Sequence, residues 1–380
     1  MSAVGEVTLM LCGDVMLGRG IDQILPHPSS PVLYEGYVRS ALDYVALAER
    51  TNGPIPRAVP FSYVWGDALD ELDRRKPDLR IINLETAVTR SDRPELKGIN
   101  YRMNPANLPC VGAAGIDCCV LANNHVLDWG REGLLETLDA VKQAGIKTAG
   151  AGRDQMEAEA PAVFGLLGKG RVLVYGVAHG SSGVPFEWAA GPHHPGVSLI
   201  AQVSEGAADD LASRIAREKR RGDIVVLSIH WSRNWGYSIS AAERAFAQRL
   251  LASGQVDVIY GHSSHHFKAV EVFHGKPILY GCGDFLNDYE GIGGYEAYRS
   301  DLVLMYLVTI APGDGKLLSL EMVPFCVRNF RLNRVERVDA EWLRRRMDEE
   351  CRTFGGGVEL LSDNTLSFVT MALADTGKRD

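Results

Sequence analysis

The sequence predicts an α/β fold in which helices cover a sheet core. Two observations carry that expectation. Short apolar, strand-like runs alternate with amphipathic, helix-like stretches over most of the chain, a pattern that places helices on sheet faces. The composition, 46% hydrophobic and 23% charged over 380 residues, is enough for one large core or two domains.

The elements follow in order. A first strand is expected over 7–12, ending at Gly13-Asp14, where glycine permits a sharp exit. The stretch 26–60 is rich in Pro and Gly and reads as an insertion near the active face. A helix over 66–75 leads into a strand over 79–82, and a strand over 116–121 leads into a helix over 130–144. Strands over 171–177, 224–229, 256–260 and 277–280 alternate with helices over 207–220 and 241–252. In the last helix Ala245, Phe246, Leu250 and Leu251 share one face. A mobile loop is expected around Gly291–Gly294. A long strand over 302–310 and a helix over 340–351, with Asp339 as its N-cap, close the pattern. Residues 1–300 are read as one domain and 301–380 as a C-terminal extension packed on it.

Several function classes are disfavoured. The net charge of -8 argues against a general nucleic-acid or membrane-surface binder. No basic segment followed by an apolar one opens the chain, so no signal peptide is expected. No run of about 18 apolar residues suggests a membrane span. The seven cysteines include no Cys-x-x-Cys pair and read as reduced, buried thiols of a cytoplasmic protein.

The chemistry is concentrated at five strand ends. Asp14 follows the first strand, although a lone Asp there equally caps a turn. Glu85 follows the second, where a buried carboxylate needs a cation or a salt bridge. Asn123-Asn124-His125 follows the third; the bland alternative is a turn, with Asp128 capping the next helix. His230 follows the 224–229 run, and a lone His there is ordinarily a hydrogen-bonded core residue. Gly261-His262-Ser263-Ser264-His265-His266 places three imidazoles within five residues. Together these mixed oxygen and nitrogen donors suit one or two divalent ions, with Mn, Fe or Zn favoured and Mg admitted. Two ions about 3.5–4 Å apart, with Glu85 bridging, would clamp the attacking and leaving oxygens of a displacement.

Gly13-Asp14-Val15-Met16-Leu17-Gly18-Arg19, Asn83-Leu84-Glu85, the 121–130 string, His230-Trp231 and Gly261-His262 with His265 resemble the ordered motifs of the CapA family. That family is named for capsule and poly-γ-glutamate biosynthesis, within the calcineurin-like metallophosphatase superfamily. The likeness covers residues 7–290. It implies a four-layer α/β/β/α sandwich with metals at the C-terminal strand edges. The implied metal ligands are Asp14, Glu85, Asn124, His230, His262 and His265, with His125 as proton donor and Asn123 and Asp128 in supporting roles. Met16 stands where the superfamily's Asp-x-His has histidine, and Ser263-Ser264 stand where His-Pro is frequent. Asp284 takes the place of an Asn in the 281–288 segment and is expected to orient a ligand histidine.

These readings predict a metal-dependent hydrolase of a phosphoester, with His125 protonating the leaving group. Two alternatives stand beside it: metal-dependent chemistry on a γ-glutamyl amide, and a non-catalytic accessory role. The expected substrate is an anionic small molecule or a glutamyl-type chain. Arg19, Arg102 and Arg233 are the candidate anion contacts, Arg19 first because it closely follows the Asp14 turn. Lys97 and Lys268 are further cations, and Trp231, Trp235 and Tyr237 form a candidate apolar wall.

Overall fold

A computed structural model describes residues 5–371 of the chain. The first residues of the segment read for a targeting signal, 1–4, and the last of the C-terminal extension, 372–380, lie outside the described residues. Two large sheets dominate an α/β architecture. The ten-stranded sheet has the spatial order Gly356–Leu360, Leu366–Thr370, Leu317–Arg328, Leu302–Ile310, Val7–Val15, Leu79–Leu84, Cys118–Val120, Lys147–Ala149. The last four run parallel, and the other four are joined antiparallel. The seven-stranded sheet is built on Gly170–His179, Ile224–His230, Val258–His262 and Lys276–Leu279, all parallel.

Side-chain alternation explains how the sheets pack. Ile224 and Val226 enter the main core, which also holds Leu9, Leu11, Ile81 and Val120 of the larger sheet. Val225, Leu227 and Ile229 point the other way and pack with Leu211 and Ile215 of helix Glu205–Ala216 and Phe246 and Leu250 of helix Ala241–Ala252. The smaller sheet is therefore apolar on both faces, as its continuous hydrophobic run predicts.

The strands run further than their apolar stretches. Val7–Val15 carries Asp14 within it, paired in register with Asn83, and Ile224–His230 ends with His230 opposite His262. The polar residues thus sit on hydrogen-bonded backbone instead of in loose turns. Between Leu11 and Asp14 the register shifts, and Gly13 lies so close to Gly283 that a Cβ would meet its carbonyl oxygen at 1.9 Å.

Three local expectations are corrected. The 26–60 stretch contains the helix Ala41–Asn52, capped by Ser40 and burying Ala41, Tyr44, Val45 and Ala48 at helical spacing. The C-terminal helix begins at Arg337 with Glu336 at the cap position, and Asp339 instead pairs with Arg299 at 3.0 Å. Helix Gly130–Gln143 has no side-chain cap, so Asp128 is free for another task. Strand Leu302–Ile310 bonds along Val7–Cys12 and is thereby part of the central sheet.

Candidate functional site

The C-terminal ends of the parallel strands in both sheets meet at one place. Asp14 and Glu85 come from the larger sheet's edge, and His230 and His262 from the smaller sheet's. His262 Nδ1 lies 2.8 Å from Asp14 Oδ1. The backbone N–H of Ser263 donates to Asp14 Oδ2 at 3.1 Å. That places Ser263 in the left-handed region, at φ 87°. Across the cluster, His230 Nε2 lies 3.8 Å from Glu85 Oε1 and 3.1 Å from Asn124 Oδ1. Donor atoms of Asp14, Glu85 and His230 all fall within 4.8 Å of one another, and all three residues are buried.

Asn83 joins the two carboxylates. Its amide donates to Asp14 Oδ1 at 2.8 Å and to Glu85 Oε2 at 3.1 Å, and its own oxygen accepts from Asn123 at 3.0 Å. Asn123 also accepts from the backbone N–H groups of His125 and Val126, which fixes the turn that presents Asn124 and His125. Its contacts hold the turn in shape. Asn83 stands in the Asn83-Leu84-Glu85 motif but was not among the expected site residues, because an amide at the end of an apolar run does not show in sequence which carboxylates it will join. Its role follows from register with Asp14.

Two buried carboxylates side by side are electrostatically costly. Burial pushes the Glu85 carboxyl well above its ordinary range, and the charge of Asp14 adds to this. Burial also opposes charge on Asp14, but the hydrogen bond from His262 and the histidines' proximity win and hold it below its usual range. Burial lowers His230 to about 3, so its imidazole is neutral and can donate a lone pair. His262 Nε2 is buried with no hydrogen-bond partner among the described residues. A surplus of negative oxygen beside neutral nitrogen, together with an orphaned imidazole nitrogen, fits a divalent cation.

A second group adjoins the cluster. His125 Nε2 lies 3.9 Å from Glu85 Oε1, while Nδ1 lies 2.6 Å from Asp128 Oδ2. Asp128 also accepts from the backbone N–H of Tyr101 at 2.6 Å and from Lys97 at 2.7 Å. The Tyr101 ring meets the His125 ring edge-on at 4.4 Å. Burial lowers His125 to about 4. Asp128 is thus the carboxylate placed to orient His125.

The 261–266 histidines divide three ways. His265 lies beside the cluster, with Nδ1 3.0 Å from Asp284 Oδ1 and Nε2 3.1 Å from the Asn234 amide. Burial works against its charge, but Asp284 prevails and raises it. Asn287 holds the other Asp284 oxygen at 2.9 Å. His266 faces elsewhere: its Nδ1 donates to the Phe267 carbonyl, and Nε2 accepts from Gly236 N–H, fixing the 234–238 loop.

The cationic expectations need correction. Arg19 is buried, paired with Glu35 at 2.8 Å and Asp288 at 2.5 Å, and lies over the rings of Tyr44 and Tyr101. Its Nε, Nη1 and Nη2 all donate to these two carboxylates, so its charge is met inside the protein. Arg102 is turned onto Asp92 at 2.9 Å and the Trp129 ring at 4.0 Å. Arg233 is exposed, with no ion-pair partner among the described residues. Trp231 is fully buried in the core, while Trp235 stacks on Tyr295 at 3.9 Å and lies 5.3 Å from His265. Met16 is buried, and its sulfur accepts from the Tyr289 hydroxyl at 3.4 Å.

Comparison with known proteins agrees with the motif order. A family profile described as "Bacterial capsule synthesis protein PGA_cap" matches residues 8–289. A "probable polyglutamine synthesis accessory protein" of Mycobacterium tuberculosis is 47% identical over 368 residues, 96% of this chain and 97% of that protein. The capsule biosynthesis protein CapA of Bacillus anthracis is 23% identical over 329 residues, covering 85% of this chain and 68% of its own length. The PGA biosynthesis protein CapA of Bacillus subtilis is 24% identical over 297 residues, covering 77% and 66% respectively.

Proposed function

The chain belongs to the PGA_cap family of bacterial capsule synthesis proteins, and from that footing we propose that it is a metal-dependent hydrolase acting on a phosphoester. The carrying observation is the buried Asp14–Glu85–His230 cluster, with His125 Nε2 3.9 Å from Glu85. Asp14, Glu85, Asn124 and His230 would hold a divalent ion, with His262 and His265 completing a second set of donors. When bound, such an ion supplies Lewis-acid polarisation and lowers the pKa of a water. Asn83 holds the two carboxylates in place. Asp128 keeps the His125 proton on Nδ1; Nε2, 3.9 Å from Glu85 Oε1, would take up a second proton from solvent and give it to the leaving oxygen, returning the ring to its neutral Nδ1–H form. Arg233, at the exposed rim, is the remaining candidate contact for an anionic substrate. We read the two sheets and their outer helices as the four-layer α/β/β/α sandwich of metallophosphatases. The helices that cover the smaller sheet's outer face support this. All seven cysteines are free, which supports a reducing, cytoplasmic setting. Among the described residues no helix is long and apolar enough to cross a membrane.

The test is metal analysis with turnover. Purified protein is expected to retain Mn, Fe or Zn and to hydrolyse p-nitrophenyl phosphomono- or diesters. Chelation should abolish the activity and re-addition restore it. Protein that binds no divalent ion, or that cleaves no phosphoester when loaded, overturns the reading.

A second reading rests on the relatives' printed names, which point to poly-glutamate and capsule synthesis and, in the mycobacterial protein, to an accessory role. The same site could act on a γ-glutamyl amide, or serve poly-glutamate synthesis without turnover. Release or ligation of γ-glutamyl oligomers by protein that is blank on phosphoesters would favour the amide reading. An Asp14→Asn, His262→Ala variant that still supports polymer formation in cells would favour the accessory one.

A further inference from the structure

Lys97 lies on the segment between Thr89 and Asn100, with its neighbours Leu96 and Ile99 exposed. Its side chain turns inward. The ammonium donates to Asp128 Oδ1 at 2.7 Å and to the backbone carbonyl of Asn124, and lies 3.4 Å from His125 Nδ1. The Trp188 ring, 5.1 Å away, closes its other side. The backbone follows the same path: Glu95 N–H and the Asn100 amide both donate to the Asp128 carbonyl, at 2.8 and 3.1 Å.

From this arrangement we infer that Lys97 is a positioning residue, through which the 90–100 loop sets the orientation and tautomer of His125. The inference rests on the reading of His125 as proton donor. Asp128 already accepts from Lys97 and from Tyr101 N–H, so in the short 2.6 Å contact the imidazole must be the donor, through Nδ1–H. Nε2 is then the nitrogen turned toward the cluster, 3.9 Å from Glu85 Oε1. The bond to the Asn124 carbonyl ties the same ammonium to the residue proposed to bring its side-chain oxygen to the ion. One cation thus holds both neighbours of the turn in register. Lys97 reaches no outside anion while so engaged, which sets it apart from a substrate clamp.

Two measurements test the assignment. In one-dimensional proton NMR the wild type should show a downfield imidazole N–H resonance from the His125–Asp128 bond, identified by its loss in His125→Ala. Lys97→Met should shift or broaden it, and Lys97→Arg should restore it. With turnover, Lys97→Met should slow an alkyl phosphoester about 10- to 100-fold while barely slowing a p-nitrophenyl ester, whose leaving group needs no proton. Adding Lys97→Met to His125→Ala should cost nothing more, because the two act as a unit. An unchanged downfield resonance in Lys97→Met, or losses that multiply in the double variant, overturns the inference. Wild type that cleaves neither ester defeats the hydrolase reading, and the NMR comparison still decides the role of Lys97.

Discussion

The two sheets bring different chemistry to the same place. The larger sheet's edge delivers Asp14, Glu85, Asn124 and the His125–Asp128 pair. The smaller sheet's edge delivers His230, His262 and His265. Oxygen donors and the proposed proton carrier lie on one side, and the nitrogens of His230, His262 and His265 on the other. Neither edge alone supplies the Asp14–Glu85–His230 cluster that could hold a metal ion. Burial works against charge on both sides, raising the Glu85 carboxyl on one and lowering the His230 imidazole on the other, and the two residues meet at the seam.

That contrast can be broken from either side. The largest effect is expected from Asp14→Asn or Glu85→Gln, which remove negative oxygen from the seam. Bound metal should fall below stoichiometry by elemental analysis, and phosphoester turnover should drop about 10³-fold or more, as for loss of a Lewis acid worth several kcal/mol. Next comes His125→Ala, which leaves the cluster intact. Metal content should be unchanged, and kcat for an alkyl ester should fall about 10²- to 10⁴-fold. Gly13→Ala attacks the geometry that brings Asp14 to the seam. A Cβ there would meet the Gly283 carbonyl oxygen at 1.9 Å, so denaturant unfolding should show a loss of about 3 kcal/mol, the upper end for overpacking.

A subtler test uses pH. His230 and His125 are lowered to about 3 and about 4, against an ordinary value near 6.5. Across that window the unfolded chain binds protons that the folded chain refuses. Their contribution is therefore present above about pH 6.5 and is lost as pH falls. Glu85 has the opposite sign: raised in the folded state, it costs stability at neutral pH and recovers it on acidification. A bound cation relieves that cost and requires neutral imidazoles. The rise in Tm on adding Mn²⁺ should accordingly be larger at about pH 7.5 than at about pH 5, as calorimetry can show. The smallest effect is expected at Ser263, at φ 87°. Ser263→Gly keeps the N–H that serves Asp14 and should raise stability by about 1 kcal/mol.

The α/β class and the strand ends were legible because apolar runs stop sharply at polar residues. Strand lengths were understated for the same reason: Asp14 and His230 look like exits but remain in the ladders. Asp128 and Asp284 could be flagged because their imidazole partners lie within the same motifs or near the chemistry. Arg19 was misread because its true partner, Asp288, is 269 residues away. The helix Ala41–Asn52 was hidden by the Pro and Gly around it. Lys97 was visible only as a loose cation, and its inward turn depends on where Asp128 lies after folding.

The pairing of Leu302–Ile310 with the first strand bears on how the chain comes off the ribosome. The strand that carries Asp14 has its antiparallel neighbour made some 300 residues after it, and ladders closed over such separations form slowly. Until that neighbour arrives, one edge of the first strand is open to pairing with other chains. A nascent protein stalled short of residue 302 would hold all of its proposed ligands, yet would be a candidate for chaperone capture instead of metal loading.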